Sequence, residues 1–211
     1  DLVLVGHSMG GVIARLMVSS SDQSLVQLAA AHSQLTPEQM KRIDPMLRFE
    51  PFPQVSSAIF IAAPHRGTTF AGGRLGRWMA GFIRFPVTVL EELAHTLAPN
   101  ATASNHESLG HIPNSVDNLD ENDPFVRAVA GFPISTQVRY HSIVAQADPL
   151  VALVDSDDGL VPYRSAHLPG AQSEKVIISG HSVQQNAAAI LEIQRILRED
   201  IDLREARSMQ R

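Results

Sequence analysis

The sequence predicts an α/β layered fold, with a mostly parallel sheet, helices on its faces and a helical cap inserted between two strands. Three observations carry this. Apolar runs of strand length alternate with runs of helical period along the chain. Hairpin signals are absent, which disfavours antiparallel meanders. Residues 68–136 lie between two apolar runs, are too long for a simple crossover, and hold helical patterns of their own.

Composition sets the outer bounds. The 211 residues, 44% of them hydrophobic, suffice for one sizeable core in a single domain over 1–211. Seventeen basic residues stand against 22 acidic ones, a net charge of −5, and no basic block suggests nucleic acid as a partner. The absence of cysteine excludes disulfides and thiolate zinc sites. No apolar run reaches the roughly 18 residues of a membrane span. His7, His32, His95, His106 and His111 show no ligand-like spacing, so neither a metal nor another cofactor is expected.

The first strand, ending at Val5, is apolar on both faces and reads as a central parallel strand. It runs into Gly6-His7-Ser8-Met9-Gly10, the G-x-S-x-G pattern of a nucleophile elbow, and Gly11 follows. A strand that turns sharply into a helix crowds its flanks, so glycine is expected to be required at Gly6 and Gly10. The corner lifts the Ser8 hydroxyl off the sheet and sets it at a helix N-terminus. There the Met9 N–H can face a developing oxyanion. Val12, Ile13, Leu16 and Met17 give that helix an apolar stripe to about Val18.

Residues 23–53 read as short helices. Thr36-Pro37-Glu38-Gln39 supplies an N-cap, a proline at the first helical position and a capping box, and Pro45 ends that helix. Ser56–Ala63 is the second buried strand, followed by Pro64-His65-Arg66-Gly67-Thr68. Within 68–136, Leu75, Trp78, Met79 and Phe82 recur at helical spacing among Arg74, Arg77 and Arg84. A second helix follows Pro86, and Asp123-Pro124 opens a third that stops before Gly131. Two readings of the 75–85 stripe stay open. It packs the cap on the core, or it is an Arg-edged lid that meets a lipid interface. Val138–Ala145 is the third strand, with His141 as a core histidine. Glu174–Ser179 is the fourth. Ser182 and Gln185 form a capping box for a terminal helix whose face is Val183, Ala187, Ile190, Ile193 and Leu197, and which frays from about Leu203.

The ordered set GHSMGG, FIAAPHRG, DGLVPYRSAHL and SGHS resembles bacterial lipase-like α/β hydrolases, distantly similar to GPI-inositol deacylases, over nearly the whole chain. The resemblance implies that this is the C-terminal part of the α/β-hydrolase fold. The elbow there follows the fifth strand, so four strands and the loop with the second oxyanion N–H are expected upstream, and the isolated chain is expected to be poorly folded or inactive. It also implies the chain order Ser, acid, His, met here by Ser8, Asp158 and His181. Asp158 stands in D-x-x-V-P, and Asp148 and Asp157 remain alternatives for the acid. His167 is the rival base, set aside as a surface residue. His7, and His65 in a P-H-x-G resembling one beside the active site of such hydrolases, are candidates for lining the site. His65 also reads as a hydrogen-bonded structural histidine.

The implied chemistry is hydrolysis of a small-molecule or lipid carboxylic ester through an acyl-enzyme. Ser8 attacks, His181 moves the proton, Asp158 orients His181, and the Met9 N–H helps hold the oxyanion. A non-catalytic lipid- or partner-binding module, and an acyltransferase using the same residues, are the competing readings. Substrate length, compartment and oligomeric state are not encoded in these motifs.

Overall fold

The computed structural model describes residues 2–21, 24–32, 36–69 and 119–209. The two expected cap helices within 70–118, with the stripe read as a lipid-facing lid, lie outside the described residues. Four strands form one sheet, β1 (Leu2–His7), β2 (Val55–Ile61), β3 (Arg139–Gln146) and β4 (Ser173–Ile178), in the order β1-β2-β3-β4. Every pair is parallel, so all four carboxyl ends lie at one rim. Among the described residues β1 pairs with β2 alone, and its Leu2 and Val5 are 54% and 51% exposed.

Alternation along β2 separates two apolar layers. Ile59 and Ile61 join Ile143, Ala145 and Ile177 on one face, covered by the long helix α5 (Ala187–Ser208). Ala58 and Phe60 point to the other face, where Ala14 of α1 (Met9–Met17) and its C-cap residue Val18 pack. Each fully buried aliphatic side chain contributes about 1.5–3 kcal/mol, against about 1 kcal/mol net for a hydrogen bond, so these two layers dominate the fold's stability. α2 (Ser24–His32) and α4 (Pro124–Ala130) extend the α1 side through Leu25, Val129 and Phe132, packed with Leu16.

Local signals place several helix ends. α3 (Pro37–Ile43) starts at Thr36, whose side chain accepts the Gln39 N–H while the Gln39 side chain accepts the Thr36 N–H. Asp123 accepts the N–H groups of Phe125 and Val126 at the start of α4.

The terminal helix departs from its expected start, face and end. Ser182 makes no side-chain cap, and Val183–Gln185 form a short 3-10 turn that sinks Val183 into the core. The cap is Asn186, whose side chain accepts the Ala188 N–H at 2.9 Å. Val183 is therefore out of phase with the helix. The buried face becomes Ala189, Ile193, Ile196 and Leu197, while Ile190 is 45% exposed. The last turns do not fray at Leu203. Buried Asp200 pairs with Arg139 of β3 and with Arg204, and Arg204 reaches Ser56.

A buried cation braces the other face. Arg15, 5% exposed, donates to the carbonyls of Ala130, Phe132 and His65, joining α1 to α4 and to the loop after β2. Burial, with Arg66 nearby, lowers its pKa to about 10, so it stays charged at neutral pH. The His65 ring stands edge-on to Phe60, and neither ring nitrogen has a hydrogen-bond partner among the described residues. It orders the loop through its backbone instead, its N–H donating to Ala63 and Ser165 and its carbonyl accepting from Arg15.

Two stability predictions follow from this brace. Arg15→Leu strands three carbonyls and should cost about 2–4 kcal/mol in urea unfolding; an unchanged midpoint would contradict it. Burial, with repulsion from Arg15 and Arg66, holds His65 well below its ordinary pKa, so it is neutral when folded. The unfolded chain takes up that proton from about pH 6.5 downward, so stability falls below that pH by up to about 1.4 kcal/mol per pH unit. Thermal unfolding of His65→Phe between about pH 7 and pH 5 should decline less steeply than wild type; parallel declines would refute this.

Candidate active site

β1 ends at His7 and α1 begins at Met9, so Ser8 must turn the chain alone. It does so at φ 55° and ψ −128°, a left-handed conformation that is strained for a residue with a Cβ. The Ser8 N–H donates to Ile61, which ties the corner to β2. A Cβ on Gly6 would come within 2.5 Å of the Gly10 carbonyl oxygen, so the start of α1 rests directly on the β1 backbone. A Cβ on Gly11 would meet the Ala63 Cβ at 2.4 Å. Gly10, expected to be the second constrained position, has no atom of the described residues within 4 Å of a Cβ built there. The constraint moves one residue on because Gly11, not Gly10, packs against Ala63 just past β2.

Asp158 and His181 arrive from the ends of β3 and β4. The β3 carboxyl end leads into an exposed loop, and the Ala147 N–H donates to Asp157 and thereby closes its neck. Asp158 Oδ1 accepts the N–H groups of Leu160 at 2.9 Å and Val161 at 2.7 Å. Its Oδ2 lies 2.7 Å from His181 Nδ1, and His181 Nε2 lies 2.8 Å from Ser8 Oγ. All three residues are buried, at 3% (Ser8), 3% (Asp158) and 5% (His181) exposure. Each hydrogen bond in the chain is therefore screened little by water.

The alternatives are occupied elsewhere. Asp148 accepts the Leu150 N–H and Asp157 the Gly159 N–H, each in a local turn. His167 pairs with Glu174 at 2.7 Å and stacks on Tyr163, while His141 bonds Ser173.

His7 lies against the site. Its Nε2–H donates to the His181 carbonyl at 2.9 Å, and the two rings are 5.1 Å apart. Burial, opposed by that hydrogen bond, lowers its pKa from the ordinary histidine value, which favours the neutral ring at neutral pH. His65 is buried in the core rather than facing the hollow beside Asp158 and His181. That hollow, about 440 Å³, is lined by Gly159, Leu160, Ser179, Gly180 and Ser182 with the two titratable residues.

As the first residue of α1, Met9 has no acceptor within the helix for its N–H, and Ser8 sits at the helix's positive end. The set can deprotonate a hydroxyl, hold the resulting imidazolium against a carboxylate, and offer a backbone donor to an anion. Among the described residues no group of acidic, histidine or cysteine side chains could hold a metal ion. Arg15 and Thr68, both important to this rim, escaped the sequence reading, because a lone arginine in a helix and a loop threonine carry no local signature of burial.

A model of the alpha/beta hydrolase family matches residues 1–193. No curated protein sequence matches the chain. Among solved structures, a Bacillus licheniformis lipase in mature form is similar at 16% identity and a TM-score of 0.47, over 93% of this chain and 65% of that one. Its propeptide form is similar at 15% identity and a TM-score of 0.45, over 92% of this chain and 35% of that one. The chain thus spans less than two thirds of the length of either structure. With residues 1–193 matched by the family model, the chain belongs to the α/β hydrolase family.

Proposed function

We propose that this chain carries the catalytic centre of a serine hydrolase of the lipase or esterase kind, which cleaves carboxylic esters through an acyl-enzyme. The observation that supports it best is the unbroken buried chain Ser8 Oγ, His181 Nε2, His181 Nδ1 and Asp158 Oδ2, with spacings of 2.8 and 2.7 Å. A serine hydroxyl is a weak nucleophile until a base accepts its proton. In the proposed cycle Ser8 Oγ attacks the ester carbonyl carbon while its proton passes to His181 Nε2. The Met9 N–H stabilises the tetrahedral oxyanion. Collapse breaks the bond to the alcohol, which leaves with the proton from His181. Water, deprotonated by the same imidazole, then releases the acid and frees Ser8. Asp158 holds the Nδ1–H tautomer throughout, and its Oδ1 is occupied by the two backbone N–H donors, so only Oδ2 faces the ring. The substrate class is a small-molecule or lipid ester.

The test uses the natural full-length protein. A fluorophosphonate probe should label Ser8, and Ser8→Ala should abolish labelling and lower ester turnover by about 10⁴-fold or more. Asp158→Asn should lower kcat by about 10⁴-fold with the fold intact. Labelling that persists in Ser8→Ala, or turnover unaffected by Asp158→Asn, would overturn the proposal. Product analysis with an added alcohol separates hydrolysis from acyl transfer.

A further inference from the structure

The two N–H donors on Asp158 Oδ1 are not equivalent. The closer one, from Val161 at 2.7 Å, belongs to the same peptide group as the Leu160 carbonyl. That carbonyl accepts the hydroxyl of Thr68 at 2.5 Å, and Thr68 is completely buried. A continuous chain of donors and acceptors therefore runs from Thr68 Oγ1 through the Leu160–Val161 peptide to Asp158, and on to His181 and Ser8.

The hydroxyl is itself held in place. The Thr68 N–H donates to the Leu119 carbonyl at 2.8 Å, and the preceding Gly67 carbonyl accepts the Ser165 hydroxyl at 2.5 Å. Gly67 has φ 75°, and a Cβ there would come within 2.7 Å of the Leu119 oxygen, so the loop passes where only glycine fits. The loop after β2 thus clamps the acid-bearing loop at a point 92 residues away along the chain.

We propose that Thr68 is a positioning residue for the acid. Its hydroxyl polarises and pins the Leu160–Val161 peptide, so that Asp158 keeps Oδ1 on the backbone and Oδ2 on His181. A hydrogen bond accepted at a carbonyl increases the pull of the same peptide's N–H, and a low-dielectric interior magnifies the effect. Thr68 touches neither substrate nor the reacting atoms. The inference rests on the reading of Ser8, His181 and Asp158 as a catalytic set. The plainer alternative is that Thr68 only satisfies a buried carbonyl.

Thr68→Val keeps the shape and removes the hydroxyl; Thr68→Ser keeps the hydroxyl. In the natural full-length protein, kcat for p-nitrophenyl butyrate is measured per fluorophosphonate-labelled site, alongside the low-field proton resonance of His181 Nδ1–H and thermal unfolding. Thr68→Val should lower kcat about fivefold to tenfold with KM little changed, and should shift or broaden that resonance. Thr68→Ser should restore both. If Thr68→Val folds and keeps wild-type kcat and resonance, the inference fails and the catalytic reading stands. If Thr68→Val and Thr68→Ala both lose the fold, or lose only stability while kcat per labelled site holds, the role is structural and the inference fails. A wild type that the probe does not label overturns the catalytic reading, and the inference with it.

Discussion

Helix α1 can begin immediately above β1 only because Gly6 and Gly11 carry no side chain. Their missing Cβ atoms would otherwise sit 2.5 Å from the Gly10 carbonyl oxygen and 2.4 Å from the Ala63 Cβ. That close approach leaves a single residue to reverse the chain, and Ser8 takes up the strain at φ 55°. Such a conformation costs of order 1–3 kcal/mol and persists only where its surroundings over-determine it. Here they do: the Ser8 N–H is bonded to β2, and the apolar layer of Ala14, Val18, Ala58 and Phe60 presses α1 onto the sheet. The reward of the strain is position, since the hydroxyl stands at the rim where three other strand ends arrive.

Parallel pairing then does the rest of the assembly. Four parallel strands bring their carboxyl ends to one side, so a serine after β1, a loop after β2, an acid after β3 and a histidine after β4 meet although up to 173 residues separate them. The loops do not rely on their own stiffness. Thr68 and Ser165 join the β2 loop to the acid loop, Arg15 joins α1 to the β2 loop, and His7 holds the backbone of His181. Most of these links are hydrogen bonds to backbone carbonyls, worth about 1 kcal/mol each when satisfied and more when left open in the interior. The rim is therefore specified by polar satisfaction, while the bulk of the stability comes from the two apolar layers.

Features with a local cause were legible in the sequence. The capping box at Thr36 and Gln39 and the proline-led start of α4 depend on residues within a few positions, and both stand as read. The order of Ser8, Asp158 and His181 was read from the resemblance of their motifs to the α/β-hydrolase pattern, whereas composition and periodicity gave only the strands that precede them. What was not legible depends on contacts between distant elements. The requirement falls on Gly11 rather than Gly10 because of Ala63, which lies just past β2 and far from Gly11 in the chain. The terminal helix is capped by Asn186 rather than Ser182, because burying Val183 first suits the core. Burial of His65 without a partner for its ring among the described residues, and of Arg15 among carbonyls, likewise follows from packing alone.

The central claim is that one buried line of hydrogen bonds, from carboxylate to imidazole to hydroxyl, is poised to act on a carbonyl next to Ser8. A crystal structure of the natural full-length protein after reaction with an ethyl phosphonate ester tests this most directly, because the adduct mimics the tetrahedral intermediate. The account predicts phosphorus bonded to Ser8 Oγ, a phosphoryl oxygen within about 3 Å of the Met9 nitrogen, and His181 still paired with Asp158. An adduct on another residue, or one whose oxygen points away from Met9 with His181 swung off Asp158, would contradict it.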